Sequence, residues 1–135
     1  MSLMRREILI ADKAPKAIGP YSLGVRTRGL VFTAGTLGIN PQTSDLIPGG
    51  IEAETRQALI NLANVLQSGG SSLDLVVKTT VFMQDLSEFD KMNAVYGEFF
   101  KQDPPARSTV QVVALPKSAS IEIEAVAVVA ETYSD

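Results

Sequence analysis

Apolar positions recur along this chain with two different periods, and the switches between them divide it into elements. Ile51, Thr55, Ala58, Leu59, Leu62, Val65 and Leu66 recur at three- and four-residue intervals, which predicts an amphipathic helix stopped by Gly69-Gly70. Glu52 and Glu54 stand in its first turn, where the helix dipole favours acids. Phe89, Met92, Tyr96, Phe99 and Phe100 predict a second helix. Asp85 and Glu88 at capping-box spacing open it, and Asp103-Pro104-Pro105 closes it. Extended segments are expected at Ile8–Ala11, Tyr21–Arg26, Leu30–Thr36, Leu75–Met83, Arg107–Leu115 and Ile121–Ala130. Arg28-Gly29 marks a hairpin turn, residues 14–20 and 40–50 read as loops, and residues 116–120 form the turn joining the last two strands. The order is βββαβαββ, an α+β fold in one domain spanning 4–135. Met1-Ser2-Leu3 ahead of Met4 reads as a cloning scar or an alternative start.

Two helices cover one face of such a sheet. The strand from Leu75 is nevertheless apolar on both parities, and the last strand becomes so after Glu124. The second face is therefore expected to pack against another copy of the chain, since large apolar patches are seldom left in water.

Composition narrows the chemistry. The 135 residues include 45% hydrophobic and 20% charged side chains, with a net charge of −3. An isoelectric point near 4.9 argues against a basic nucleic-acid footprint. There is no cysteine, which excludes thiolate nucleophiles, disulfides and Cys-based zinc sites, and no histidine, which removes the commonest general base. No run approaches the roughly 20 apolar residues of a membrane span, and the apolar run after Arg5-Arg6-Glu7 is too short for a signal peptide. A cytoplasmic enzyme or binding protein, without nucleic-acid or membrane partners, is expected.

Pro104-Pro105 ends the second helix, and Arg107 is the first charged residue of the extended run that follows. Alternation places Arg107, Thr109, Gln111 and Val113 on one face, and Glu122, Glu124, Val126 and Val128 on one face of the last strand. A tight hairpin between these strands would hold Arg107 and Glu122 toward opposite ends, so they would meet only around a pocket or across a subunit boundary. A lone arginine at such a strand more often pairs with a protein carboxylate; the alternative is bidentate binding of a ligand carboxylate. Tyr21, Asn93 and the Ala34-Gly35-Thr36 backbone are weaker candidates. Ser71-Ser72 has no histidine to activate it and reads as a turn. On these residues alone the description is an oligomeric α+β protein with an anion site left open.

Longer stretches add a resemblance. Ile18-Gly19-Pro20-Tyr21, Thr55-Arg56-Gln57 with Asn61-Leu62, Val77 to Phe82, Asn93-Ala94-Val95-Tyr96, Pro105-Ala106-Arg107-Ser108, Val110-Gln111-Val112 through Lys117, and Ile121 to Ala125 together resemble the RidA/YjgF family. The matches run in order from about Ala14 to Val129. The resemblance implies a fold similar to the small trimeric chorismate mutase, with two helices on one sheet face, three subunits around a barrel-like centre, and sites in clefts between subunits.

It also implies an activity. Family members hydrolyse reactive enamines and imines, such as 2-aminoacrylate and its imine tautomer, to 2-keto acids and ammonia without a cofactor. Such intermediates leak from pyridoxal-phosphate dehydratases, a functional link without direct binding. By position, Arg107 is implied to bind the substrate carboxylate and Glu122 to orient water. Tyr21, Gly35, Asn93 and Thr109 are implied to line the site, Thr109 standing where cysteine is common. Ala34 replaces a common serine and Thr36 a common glutamine, which lowers pocket polarity, and Val113 fills a usually small position, which is expected to narrow something nearby. The alternatives are a non-catalytic 2-keto-acid-binding or chaperone-like protein and, against the charge, a ribonuclease or translation inhibitor.

Overall fold

The computed structural model describes residues 5–130; the expectation for Met1-Ser2-Leu3 lies outside them. One mixed sheet carries two helices on one face. Its strands are β1 (Glu7–Ile8), β2 (Gly24–Thr27), β3 (Leu30–Thr33), β4 (Thr36–Leu37), β5 (Val76–Met83), β6 (Ala106–Gln111) and β7 (Ile121–Val128). The helices are α1 (Gly50–Ser68) and α2 (Phe89–Phe99). The sheet order is β1-β2-β3-β7-β5-β6, with β4 also pairing β7.

Both helices stand where the three-to-four periodicity places them, because long stripes bury well. Leu59, Leu62, Leu66 and Met92 are fully buried against Val31, Val81, Met83, Ile121 and Ile123 from the sheet. Each such leucine contributes about 2–5 kcal/mol relative to alanine. Arg28 (φ 51°) and Gly29 (φ 78°) form the β2–β3 turn, the two positive φ values that match a hairpin's twist. The start of α2 departs from the capping box. Asp85 Oδ1 accepts from Ser87 N at 2.9 Å and caps a short 3-10 turn, so α2 begins afterwards without a side-chain cap.

Several strand limits are corrected. The first strand is Glu7–Ile8, not Ile8–Ala11, because the chain folds back where Ala14 N donates to Ala11 O. Tyr21 lies in a turn closed onto Gly19 O, so β2 starts only at Gly24. The expected strand Leu30–Thr36 is two strands, interrupted at Ala34-Gly35 while both halves stay on β7. The strand expected from Leu75 begins at Val76, after a 3-10 turn. The strand expected over Arg107–Leu115 ends at Gln111; Lys117 (φ 58°) and Ser118 (φ 57°) then turn the chain.

The larger correction is topological. β6 and β7 are not a hairpin: β5 lies between them, parallel to β6 and antiparallel to β7. A helix separates β5 from β6, and a strand–helix–strand crossover returns its second strand parallel to the first. The return through residues 112–120 then carries β7 past β5 to its far side.

Candidate functional site

Sheet register divides the six candidate residues into two groups. Arg107 lies opposite Thr79, whose side chain is fully buried on the helix side. Glu122 lies opposite Phe82, whose parity is the reverse. Arg107 and Glu122 therefore project from opposite faces of the sheet, two strands and three residues apart, with Cα atoms on the order of 14 Å from each other. Within one chain they do not converge.

The Arg107 group sits at the edge strand β6. The guanidinium carbon lies 4.7 Å from the centroid of the Tyr96 ring and 5.4 Å from that of Phe89, both on α2. Asn93, half-buried, is four residues after Phe89 and three before Tyr96, hence on the same helix face. Thr109 shares the Arg107 face of β6, and its Oγ1 is buried without a hydrogen-bond partner among the described residues. No described carboxylate lies within ion-pair distance of Arg107, unlike Arg26 beside Glu7 and Arg56 beside Glu98. The ordinary ion pair that spacing alone favoured is thus not formed among the described residues. Tyr96 holds its phenol above the usual range chiefly through burial, opposed by its bond with Thr79 and by the Arg107 charge.

Tyr21, Gly35 and Glu122 meet elsewhere, around a cavity of about 280 Å³ that Ile18, Leu37 and Pro116 help to line. Tyr21 Oη accepts from Ile18 N at 3.1 Å, so the hydroxyl tightens its own loop. A side chain at Gly35 would collide with the Glu122 carboxylate. The interruption between β3 and β4 thus gives Glu122 its room. Burial, and after it the neighbouring Glu124, raises the Glu122 carboxyl above its ordinary range. Ala34 and Thr36 line the same cavity, and Thr36 Oγ1 turns back to donate to Ala34 O at 3.3 Å, so the wall is poor in free polar groups. Val113 narrows nothing within this chain: the residue is 95% exposed, while its carbonyl accepts from Gln84 Nε2 at 2.7 Å.

Two buried polar residues hold this group in place. Asn61 Nδ2, on α1, donates to the carbonyls of Leu37 (3.0 Å) and Ile39 (2.8 Å) and fixes the irregular chain after β4. Glu54 Oε1 accepts from Ser120 N at 2.8 Å, two residues before Glu122. The packing of α1 against the chain after β4 is close, since a Cβ on Gly38 would lie 2.6 Å from Glu54 O. Glu54 first reads as a dipole residue in an acidic first turn; its burial was not visible in the pattern.

A profile of the Endoribonuclease L-PSP family, to which the RidA/YjgF proteins belong, matches residues 11–129. The chain belongs to this family. Among its relatives, human 2-iminobutanoate/2-iminopropanoate deaminase is 42% identical over 128 residues, covering 95% of this chain and 93% of the relative. A RutC family protein of Pyrococcus abyssi is 43% identical over 124 residues, covering 92% and 98%. Among solved structures, YjgF of E. coli superposes with a TM-score of 0.86 at 41% identity, covering 90% and 98%. E. coli TdcF with bound serine superposes with a TM-score of 0.87 at 39% identity, covering 92% and 99%. The sheet with two helices on one face is thus the chorismate-mutase-like fold of the RidA/YjgF proteins.

Proposed function

We propose that this RidA/YjgF protein is a cytoplasmic homotrimeric enzyme that hydrolyses 2-imino acids of the 2-aminoacrylate/2-iminopropanoate type to 2-keto acids and ammonia. Each site lies across a subunit boundary, joining the Arg107 group of one protomer to the Glu122 group of the next. The carrying observation is Arg107 itself: a half-buried guanidinium supported on two rings with no described carboxylate beside it. A partly buried cation without a partner carboxylate is suited to an anion, and the deaminase names of mammalian relatives supply the carboxylate class. Opposite-face placement of Arg107 and Glu122 supports completion by a second copy.

Bound there, the substrate carboxylate takes two parallel hydrogen bonds from Arg107. The protonated imine carbon is already electrophilic, so placement and charge stabilisation suffice. Glu122 accepts a proton as water adds to the C=N carbon, giving a carbinolamine. That proton passes to the nitrogen; Glu122 then takes the hydroxyl proton as the C=O bond forms and the C–N bond breaks, and the departing ammonia picks this proton up, so that the 2-keto acid and ammonium leave. The raised carboxyl makes Glu122 a better proton acceptor once ionised. The test generates 2-aminoacrylate with a serine dehydratase and follows keto-acid release. Wild-type protein accelerates release over buffer, and Arg107→Ala lowers kcat/KM by roughly 30- to 1000-fold; an unaffected Arg107→Ala would overturn the reading.

A second reading, small-molecule binding without turnover, is favoured by the serine bound to TdcF. Calorimetric binding of 2-ketobutyrate with no turnover would establish it. RNA cleavage, suggested by the family's description, is opposed by the acidic isoelectric point and the absence of histidine.

A further inference from the structure

Tyr96 is 5% exposed and makes three contacts that read together. Its hydroxyl shares a 2.7 Å hydrogen bond with Thr79 Oγ1, buried in the centre of the sheet. Its ring packs on Phe100 at a centroid distance of 4.7 Å and a tilt of 36°. The guanidinium of Arg107 then rests over that ring, with Phe89 as a second support. Thr79 is the register partner of Arg107 on the adjacent strand. One strand thus fixes the hydroxyl of a tyrosine whose ring carries the cation of the next.

We propose that Tyr96 is a positioning residue for carboxylate recognition: pinned by Thr79, its ring orients the Arg107 fork toward the bound carboxylate. This rests on the deaminase reading above. A cation–π contact spends little of a guanidinium's donor edge, so Arg107 keeps N–H groups for an anion even where one of them also approaches the Tyr96 hydroxyl. The unpartnered, buried Thr109 Oγ1 on the same strand face leaves a second donor unspent beside that fork. A ring held only by packing could rotate; one tethered at its far end to a sheet residue cannot, so the fork meets the anion with little ordering left to do.

The test is a double-mutant cycle read by calorimetric affinity for 2-ketobutyrate and by KM and kcat for the imino acid. Tyr96→Leu removes ring and tether and weakens 2-ketobutyrate binding by roughly 2- to 30-fold. Tyr96→Phe keeps the ring, recovers most of that affinity, and leaves a residual loss of about 2- to 3-fold from the missing tether. KM moves more than kcat in both. In an Arg107→Lys background, which retains charge but not the planar fork, Tyr96→Leu has a much smaller effect. Independent, multiplying effects of the two substitutions overturn the proposal, as does wild-type affinity in Tyr96→Leu. If Tyr96→Leu does not fold, wild-type affinity and KM in Tyr96→Phe overturn the tether. Full affinity and turnover in Arg107→Lys and Arg107→Ala would instead overturn the underlying deaminase reading.

Discussion

Glu122 is where burial and charge act most directly on the proposed reaction. Its carboxyl is raised first by desolvation and then by Glu124, two residues along the same strand face. Water activation needs the ionised form, so activity falls as pH drops through that raised pKa, and the acid limb of kcat/KM lies above the range of an ordinary glutamate. Linkage gives the complementary sign. A carboxyl raised in the folded state contributes stability below its unfolded pKa and loses it as pH rises through the folded one. Glu122→Gln is therefore expected to lose roughly 30- to 1000-fold in kcat, while its stability relative to wild type improves on going from acid to neutral pH. A pH–rate profile and urea denaturation at two pH values check both halves. An acid limb at the ordinary glutamate range would remove Glu122 from the role. At this scale the motifs around Arg107 and Glu122 single out both residues as candidates, but nothing in the pattern points to their supports. Phe89 and Tyr96 read as core positions of an amphipathic helix, which they also are. Their seven-residue separation on one stripe was the available signal that two rings would stand within reach of one side chain.

Elements show why helices were legible and strand neighbours were not. α1 carries five turns of apolar repeat, and nothing else buries that stripe so well. A strand's pattern states which face is buried but not which strand lies beside it, so β6 and β7 were placed together because they are adjacent in sequence. The intervening α2 was the better guide, since a helix between two strands favours a parallel crossover. The break at Ala34-Gly35, inside a segment expected to be one strand, was not legible because its purpose depends on Glu122, 87 positions from Gly35, whose carboxylate occupies the space a side chain would take. Chain after β4 has almost no ladder of its own, and Asn61 substitutes for one by donating to two of its carbonyls. Asn61→Ala leaves both acceptors buried and unpaired at that donor, a cost of about 2–4 kcal/mol. Urea denaturation at fixed protein concentration reads the loss, and kcat/KM falls with it because the Leu37 wall of the cavity shifts. A loss below about 0.5 kcal/mol would mean that water replaces the amide without consequence.

For the molecule as a whole, the decisive fact is that one chain holds two incomplete groups on opposite sheet faces. The helix-free face carries Phe32 and Val110 at 42% and 43% exposure, together with the outward residues of β7. Apolar area of this kind is suited to cover by further copies, and the proposed homotrimer brings the Arg107 group of each protomer to the Glu122 group of its neighbour. That arrangement makes a prediction no single-chain site would make. Arg107→Ala and Glu122→Gln protomers are each inactive as homotrimers, since every boundary then lacks one group. Mixed by co-expression or by refolding together, they form rings in which a boundary is intact only where an Arg107-bearing protomer faces a Glu122-bearing one in the correct direction. A cyclic trimer has directed boundaries, so each mixed ring regains one site of three. Random assembly at equal proportions makes three rings in four mixed, and about a quarter of wild-type activity returns. Turnover of dehydratase-generated 2-aminoacrylate, measured on separately purified homotrimers and on the co-assembled mixture, provides the comparison. Recovery near a quarter supports sites shared between subunits. No recovery, with mixed rings verified by mass spectrometry, would place both residues in one protomer's site and require the sheet to reorganise on assembly.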